Sequence, residues 1–183
     1  LDVKEKNGIH YLVMEFVQGE TARERVKRKG PLAEAEALAI VLGAALGLRE
    51  AHAQGIVHRD IKPDNVLVSA EGAIKLADLG LAKQKQTPGE QNLTVLASGV
   101  MGTPQYMPPE QWRTPDVTPA ADVWALGATL YYLLAGRSGI PAGEMLVIAE
   151  HIRDHDFPNV AAVRPDVRPE VAALLAKCTA RKP

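Results

Sequence analysis

Eight consecutive residues, His58-Arg59-Asp60-Ile61-Lys62-Pro63-Asp64-Asn65, constrain the fold more than any other part of this 183-residue chain. Six of the eight carry charged or hydrogen-bonding side chains, yet strongly apolar stretches stand on both sides. Before them runs the long apolar tract Ala37 to Leu48, and after them comes Val66-Leu67-Val68. A polar segment between two core elements reads as a loop that a scaffold holds in place. A charged surface turn accounts for any one of these residues alone, but poorly for the segment taken whole.

The rest of the chain supplies the scaffold. Residues 1 to 17 read as a β-hairpin: Leu1 to Lys4 alternates, Asn7-Gly8 is a turn signal, and His10 to Val17 is rich in β-forming residues. Gly19 breaks the run. A short basic helix is expected over Ala22 to Lys29, stopped by Gly30. Pro31 sits where a first-turn proline opens a second helix, running to about Gln54 and stopped by Gly55. Its apolar residues (Leu38, Ile40, Val41, Leu42, Leu46, Leu48) place it deep in the core. Ile56-Val57, Asn65 to Val68 and Ile74 to Leu76 read as short strands, and 83 to 108 as a long irregular loop of the kind that is usually functional. Thr118 caps a helix that Pro119 opens and Gly136 closes, with Val123, Trp124, Leu126, Leu130, Tyr131, Leu133 and Leu134 as its core residues. Two more helices are expected, about Gly143 to Arg153 and Pro169 to Cys178.

Composition excludes several classes. With 46% hydrophobic and 23% charged residues the chain reads as globular, and a net charge of −1 gives no electrostatic reason to expect nucleic acid or an anionic membrane. The apolar tract at 37 to 48 is too short for a bilayer, which needs about 20 residues. The single cysteine, Cys178, forms no intramolecular disulfide and lies in an apolar helical pattern, so it reads as a small core residue.

The segment 58 to 65 resembles the catalytic loop of protein kinases. Six matched positions (His58, Arg59, Asp60, Lys62, Pro63, Asn65) have a chance probability on the order of 10⁻⁸ per starting point with ordinary residue usage. The resemblance implies that Asp60 orients the acceptor hydroxyl and takes its proton, and that Lys62 stabilises the charge on the phosphoryl group in transfer. It implies that Asn65 offers an oxygen to Mg2+. Lysine two residues after the aspartate is the serine/threonine-kinase pattern. Asp78-Leu79-Gly80 resembles the metal-binding motif with leucine for phenylalanine, so Asp78 would hold the magnesium that bridges the ATP phosphates. Gly102 to Glu110 resembles the end of an activation loop, with Pro108 in place of alanine. There Thr103 would touch the catalytic aspartate and lysine, and Glu110 would pair with an arginine past Pro183. Asp122-Val123-Trp124-Ala125-Leu126-Gly127 resembles the central helix, where Asp122 accepts hydrogen bonds from the catalytic-loop backbone. Leu12 to Val17 resembles the strand into the hinge, with Met14 as gatekeeper and the backbone of Glu15 and Val17 on the adenine edge; the resemblance implies Leu67 as a further nucleotide contact. His58 and Arg59 are read as structural or regulatory, with Thr94 and Ser98 as activation-loop phosphosites facing Arg59.

The resemblance covers almost the whole chain and is nearest to the eukaryotic-type serine/threonine kinases of bacteria. It implies an α+β, protein-kinase-like fold in which 1 to 17 is the end of the small lobe and the hinge, and 18 to 183 a mostly helical large lobe. The glycine-rich loop, strand lysine and helix glutamate of the family have no counterpart in residues 1 to 183. The expectation is therefore an internal fragment, weak or inactive alone, of a protein that phosphorylates serine or threonine on protein substrates. ATP and Mg2+ would be its cofactors and the cytoplasm its compartment, with any membrane anchor outside this chain. The rival is a pseudokinase or scaffold that binds nucleotide or partner proteins without turnover; the intact Asp60, Asn65 and Asp78 argue against it. A small-molecule kinase is disfavoured by Lys62 and the long loop ending in Pro109-Glu110. His151 and His155 stand at metal-compatible spacing, but a solvated helix end is the better reading. The basic run Arg23, Arg25, Lys27, Arg28, Lys29 reads as a solvated helix face.

Overall fold

The computed structural model describes residues 2–6, 9–78, 104–112, 114 and 117–181. Two strands, β1 (Asp2–Lys6) and β2 (Ile9–Val13), pair antiparallel with Lys6 opposite Ile9. That register leaves two residues between them, as the Asn7-Gly8 signal implies; those two lie outside the described residues. A second sheet has the order β3 (Gly19–Thr21), β4 (Val66–Ser69), β5 (Ile74–Leu76), all antiparallel. The sequence reading missed β3 because glycine disfavours strands. Here the missing side chain is what permits the pairing, since a Cβ on Gly19 would stand 2.1 Å from the Val68 carbonyl oxygen. Conversely, Ile56-Val57 forms no ladder; the Ile56 N–H is taken by the Ala51 carbonyl as the preceding helix unwinds.

Five α-helices lie among the described residues: α1 (Ala22–Lys29), α2 (Glu34–Ala53), α3 (Pro119–Ala135), α4 (Met145–Asp154) and α5 (Pro169–Cys178). Helix α1 starts with a full capping box, Thr21 Oγ1 accepting from the Glu24 N–H and Glu24 accepting from the Thr21 N–H. Helix α2 begins three residues later than Pro31 led us to expect. Leu32 is buried and donates its N–H to the Leu133 carbonyl at the end of α3, which holds 31–33 extended. Thr118 occupies the N-cap of α3, but its side chain makes no capping bond.

Helix α3 is the axis of the core. All of its residues from Ala121 to Leu134 are buried except Val123, which is exposed despite its place in the expected core. A helix apolar on every side must be surrounded, and α2, α4, α5 and the loops between them supply buried partners such as Ile40, Leu48, Ile148, Val171 and Leu175. The last carbonyls of α3 are satisfied by Leu32 and by Arg164, whose guanidinium donates to the Leu134 oxygen at 2.6 Å. The same guanidinium holds the Asp166 carboxyl down at about 2. Cys178 is half-buried rather than buried, and burial pushes its thiol up.

Helix α2 is buried on one face only. Ile40, Ala44 and Leu48 point inward, whereas Leu42 and Leu46 are exposed, contrary to the expectation of burial all round. On the flank that meets the second sheet, Gly43 and Gly47 lie one turn apart, and β5 packs directly on them through Ile74 and Leu76. A Cβ on Gly43 would come within 2.5 Å of Ile74 Cβ, which cannot swing away; on Gly47 it would meet the tip of Leu76 at 3.3 Å. Alanine is worth about 1 kcal/mol more than glycine inside a helix, whereas overpacking costs about 1–3 kcal/mol. Urea unfolding is therefore expected to show Gly43→Ala destabilised by up to about 2 kcal/mol and Gly47→Ala neutral or more stable, a different outcome at a site four residues away.

Candidate active site

The site is assembled around one buried carboxylate. Asp122, in the first turn of α3, has no exposed surface. Its Oδ2 accepts the His58 N–H at 2.8 Å and its Oδ1 the Arg59 N–H at 2.8 Å. The His52 ring, near the end of α2, donates from Nε2 to Oδ2 at 2.8 Å. Three donors offset the cost of burying the charge, and two of them are the backbone of the 58–65 loop. The loop leaves this anchor through Arg59 at φ 71°, one of two non-glycine residues with positive φ among the described residues. Such strained backbone persists only where the surroundings over-determine it; here Asp122 takes the Arg59 N–H while the Gln111 side chain donates to the Arg59 carbonyl at 3.1 Å.

Beyond the anchor the other candidate groups of the loop converge. Lys62 Nζ lies 2.8 Å from Asp60 Oδ2. Asn65, 5% exposed, donates its amide group to the Asp60 carbonyl at 2.8 Å and to Asp60 Oδ2 at 3.0 Å. Both acceptors are oxygens, so the NH2 of Asn65 must face Asp60, which leaves its Oδ1 outside these bonds. Asp60 Oδ2 is thus held by two donors, and Oδ1 carries no hydrogen bond among the described residues. His58 reaches across from the loop, its Nε2 donating to the Ala77 carbonyl at 2.9 Å, which fixes the ring as the Nε2–H tautomer with Nδ1 turned to the Asp60 N–H. The Ala77 N–H donates to the Asn65 carbonyl at 2.9 Å. Ala77 is therefore gripped on both sides, and the next residue is Asp78, exposed and at φ 60°.

Asp60, Lys62, Asn65, His58, Arg59 and Asp122 are thus brought together, with Asp78 attached through Ala77. The nucleotide-edge candidates lie on the connection after β2: Met14 and Glu15 are exposed and Val17 is half-buried. Glu15 pairs with Lys75 of β5, and Lys75 stands opposite Leu67 in the sheet. Glu110 lies on the 3-10 turn Pro109–Trp112; its carbonyl accepts the Thr114 N–H, and its carboxylate has no ion pair among the described residues. Leu79, Gly80, Thr94, Ser98 and Thr103 lie outside the described residues. His151 and His155 stack at 4.6 Å, and among the described residues no His, Cys, Asp or Glu cluster suits a metal. The oxygens of Asn65 and Asp78 do fit a hard cation that keeps most of its ligands from water and phosphate, as Mg2+ does. A pocket of about 240 Å³ lined by Pro109, Trp112, Leu146 and Ile152 contains none of these groups.

Sequence reasoning missed His52, Gln111 and Arg23. A histidine in an apolar helix six residues before His58 was a usable signal. The partners of Gln111 and Arg23 are set by tertiary contacts alone.

Residues 1–183 match the family model described as the protein kinase domain. The chain is 38% identical over 180 residues to serine/threonine-protein kinase PknL of Mycobacterium tuberculosis, covering 97% of this chain and 44% of that protein. It is 36% identical over 174 residues to serine/threonine-protein kinase PknB of Mycolicibacterium smegmatis, covering 94% and 27%. It is 34% identical over 180 residues to the probable serine/threonine-protein kinase PknB of Lactococcus lactis, covering 98% and 28%. The chain belongs to the protein kinase domain family, and it spans less than half the length of these curated relatives. No helix among the described residues is long and apolar enough to cross a membrane.

The Asp122 anchor has a direct test. Asp122→Ala leaves two buried backbone N–H groups and an imidazole without an acceptor, and removing one side of such a network costs about 3–5 kcal/mol. Chemical denaturation is expected to show a loss of that size, with Asp122→Asn recovering only part because its amide presents one acceptor to three donors.

Proposed function

We propose that this chain carries the phosphotransfer site of a serine/threonine protein kinase. The observation that carries the reading is the state of Asp60: one carboxylate oxygen is held by Lys62 and Asn65, and the other carries no hydrogen bond among the described residues, which suits an acceptor hydroxyl. In this reading an acceptor serine or threonine hydroxyl hydrogen-bonds to Asp60 Oδ1. As its oxygen forms the new P–O bond to the γ-phosphorus of ATP, the bond to the β-phosphate oxygen breaks, ADP leaves, and the hydroxyl proton passes to Asp60. Lys62 supplies positive charge to the phosphoryl oxygens during transfer. Asn65 and Asp78 would hold Mg2+, which supplies charge neutralisation at the phosphates. Lys62 beside the aspartate supports serine/threonine rather than tyrosine as acceptor.

Residues 1–17 are assigned to the end of the small lobe and the hinge, where Met14, Glu15, Val17 and Leu67 would contact the nucleotide, and 18–183 to the large lobe. His58 is assigned to coupling Asp60 with Asp78. Thr103 would touch Asp60 and Lys62, and Glu110 would anchor the end of the activation loop. Arg59 is assigned to the activation loop: its Nε is buried without a hydrogen-bond partner among the described residues, which suits a phosphate on Thr94 or Ser98.

Transfer from labelled ATP to a mixed serine, threonine and tyrosine peptide set, by the protein that contains this chain, tests the reading. Label is expected on serine and threonine, reduced about 10²–10⁴-fold by Asp60→Asn, and mass spectrometry of the same incubation is expected to find phosphate on Thr94 or Ser98. Nucleotide binding with no transfer from the unaltered protein would replace this reading by that of a binding module. Label on tyrosine would contradict the assigned acceptor.

A further inference from the structure

Most of the basic run on α1 is spent locally. Arg25 and Arg28 pair with Glu20, and Arg25 and Lys29 with Glu36. Arg23 is different, because it turns toward the catalytic loop. Its Nε donates to Asp64 Oδ1 at 2.6 Å, and its backbone N–H donates to the Pro63 carbonyl at 3.1 Å. Asp64 stands between Lys62 and Asn65, the two residues that hold Asp60. Its second oxygen, Oδ2, is buried without a hydrogen-bond partner among the described residues, and its first is held by Arg23.

The other side of the same guanidinium faces two rings. Its central carbon lies 5.0 Å from the centroid of Tyr132 on α3 and 6.0 Å from that of Tyr106 in the 3-10 turn Pro104–Tyr106. Nη2 donates to the Tyr106 hydroxyl at 3.5 Å, and the two rings meet edge to face at 6.5 Å. Both tyrosines are less than 10% exposed. A planar guanidinium can pair with a carboxylate in its plane and lie against aromatic faces at once, which an ammonium cannot. One side chain therefore joins α1, the Asp60–Asn65 loop, the core helix and the segment that follows the 79–103 stretch.

We infer that Arg23 is a positioning residue for phosphotransfer, holding the loop that carries Asp60, Lys62 and Asn65 in register with the 104–106 segment. The inference rests on the kinase reading given above. It follows from the sensitivity of transfer to placement, since misplacement by about 1 Å can cost about 10²-fold in rate. The Pro63 bond is made by backbone and survives substitution, so a smaller loss is expected.

The test is steady-state kinetics on the kinase that contains this chain, with Arg23→Ala, Arg23→Lys, Asp64→Asn and the Arg23→Ala/Asp64→Asn double variant, alongside thermal unfolding. Arg23→Ala is expected to lower kcat per folded molecule about 10-fold with KM for ATP unchanged. Arg23→Lys should recover part of the loss, and the double variant should be no worse than Arg23→Ala alone. A lower melting temperature with unchanged kcat, or losses in the two single variants that multiply, would overturn the proposal and leave a packing role. Hydrogen exchange at the Asn65 N–H, which bonds the Lys62 carbonyl at 3.0 Å, gives a readout that needs no turnover. Faster exchange in Arg23→Ala supports the placement and unchanged exchange contradicts it, even where the unaltered protein transfers no phosphate and the kinase reading itself fails.

Discussion

The site depends on a single buried charge. Asp122 has no exposed surface and is surrounded by the apolar residues of α3, so its carboxylate is tolerable only with its lone pairs filled. The donors that fill them are the His58 and Arg59 backbone and the His52 ring. The solvation need of one carboxylate thereby fixes a polar loop to a helix buried along most of its length. The energetic logic is that of a cap: groups that cannot reach water must find one another, and the geometry that satisfies them is the one the chain adopts.

From that anchor the constraint passes along a short series of hydrogen bonds. His58 is held by Asp122 through its backbone and grips the Ala77 carbonyl with its ring. Ala77 returns a bond to the Asn65 carbonyl, and Asn65 clasps Asp60. Arg59 and Asp78, the two non-glycine residues with positive φ among the described residues, adjoin the two ends of this series. That is where strain is expected when a fold must aim side chains that local preference would turn elsewhere. A site of this kind suits phosphoryl transfer, in which placement and fixed charges contribute most of the rate and little covalent chemistry is asked of the protein.

Much of this was legible in the residues. The end of α1 and both ends of α3 could be read because Gly30, Pro119 and Gly136 mark helix boundaries by local chemistry. The candidate set Asp60, Lys62 and Asn65 could be picked out because its residue types stand at fixed spacing in one short segment. What could not be read depends on distant partners. The start of α2 slips from Pro31 to Glu34 because Leu32 is bonded to Leu133, a hundred residues on. Gly19 enters a strand because Val68 approaches too closely for any other residue. Leu42, Leu46 and Val123 are exposed although their helices are apolar, since periodicity gives a face and not what lies against it. The partners of His52, Gln111 and Arg23 lie 70, 52 and 41 residues away, beyond any local rule.

The central claim is that the 58–65 loop is pinned to the core by Asp122 rather than resting on it. Hydrogen exchange of the individual His58 and Arg59 amides measures this most directly, because both are loop amides whose acceptor is that carboxylate. The account predicts that they exchange as slowly as the amides of the buried centre of α3, opening only with global unfolding. Exchange at the rate of an exposed loop, while α3 remains protected, would contradict it.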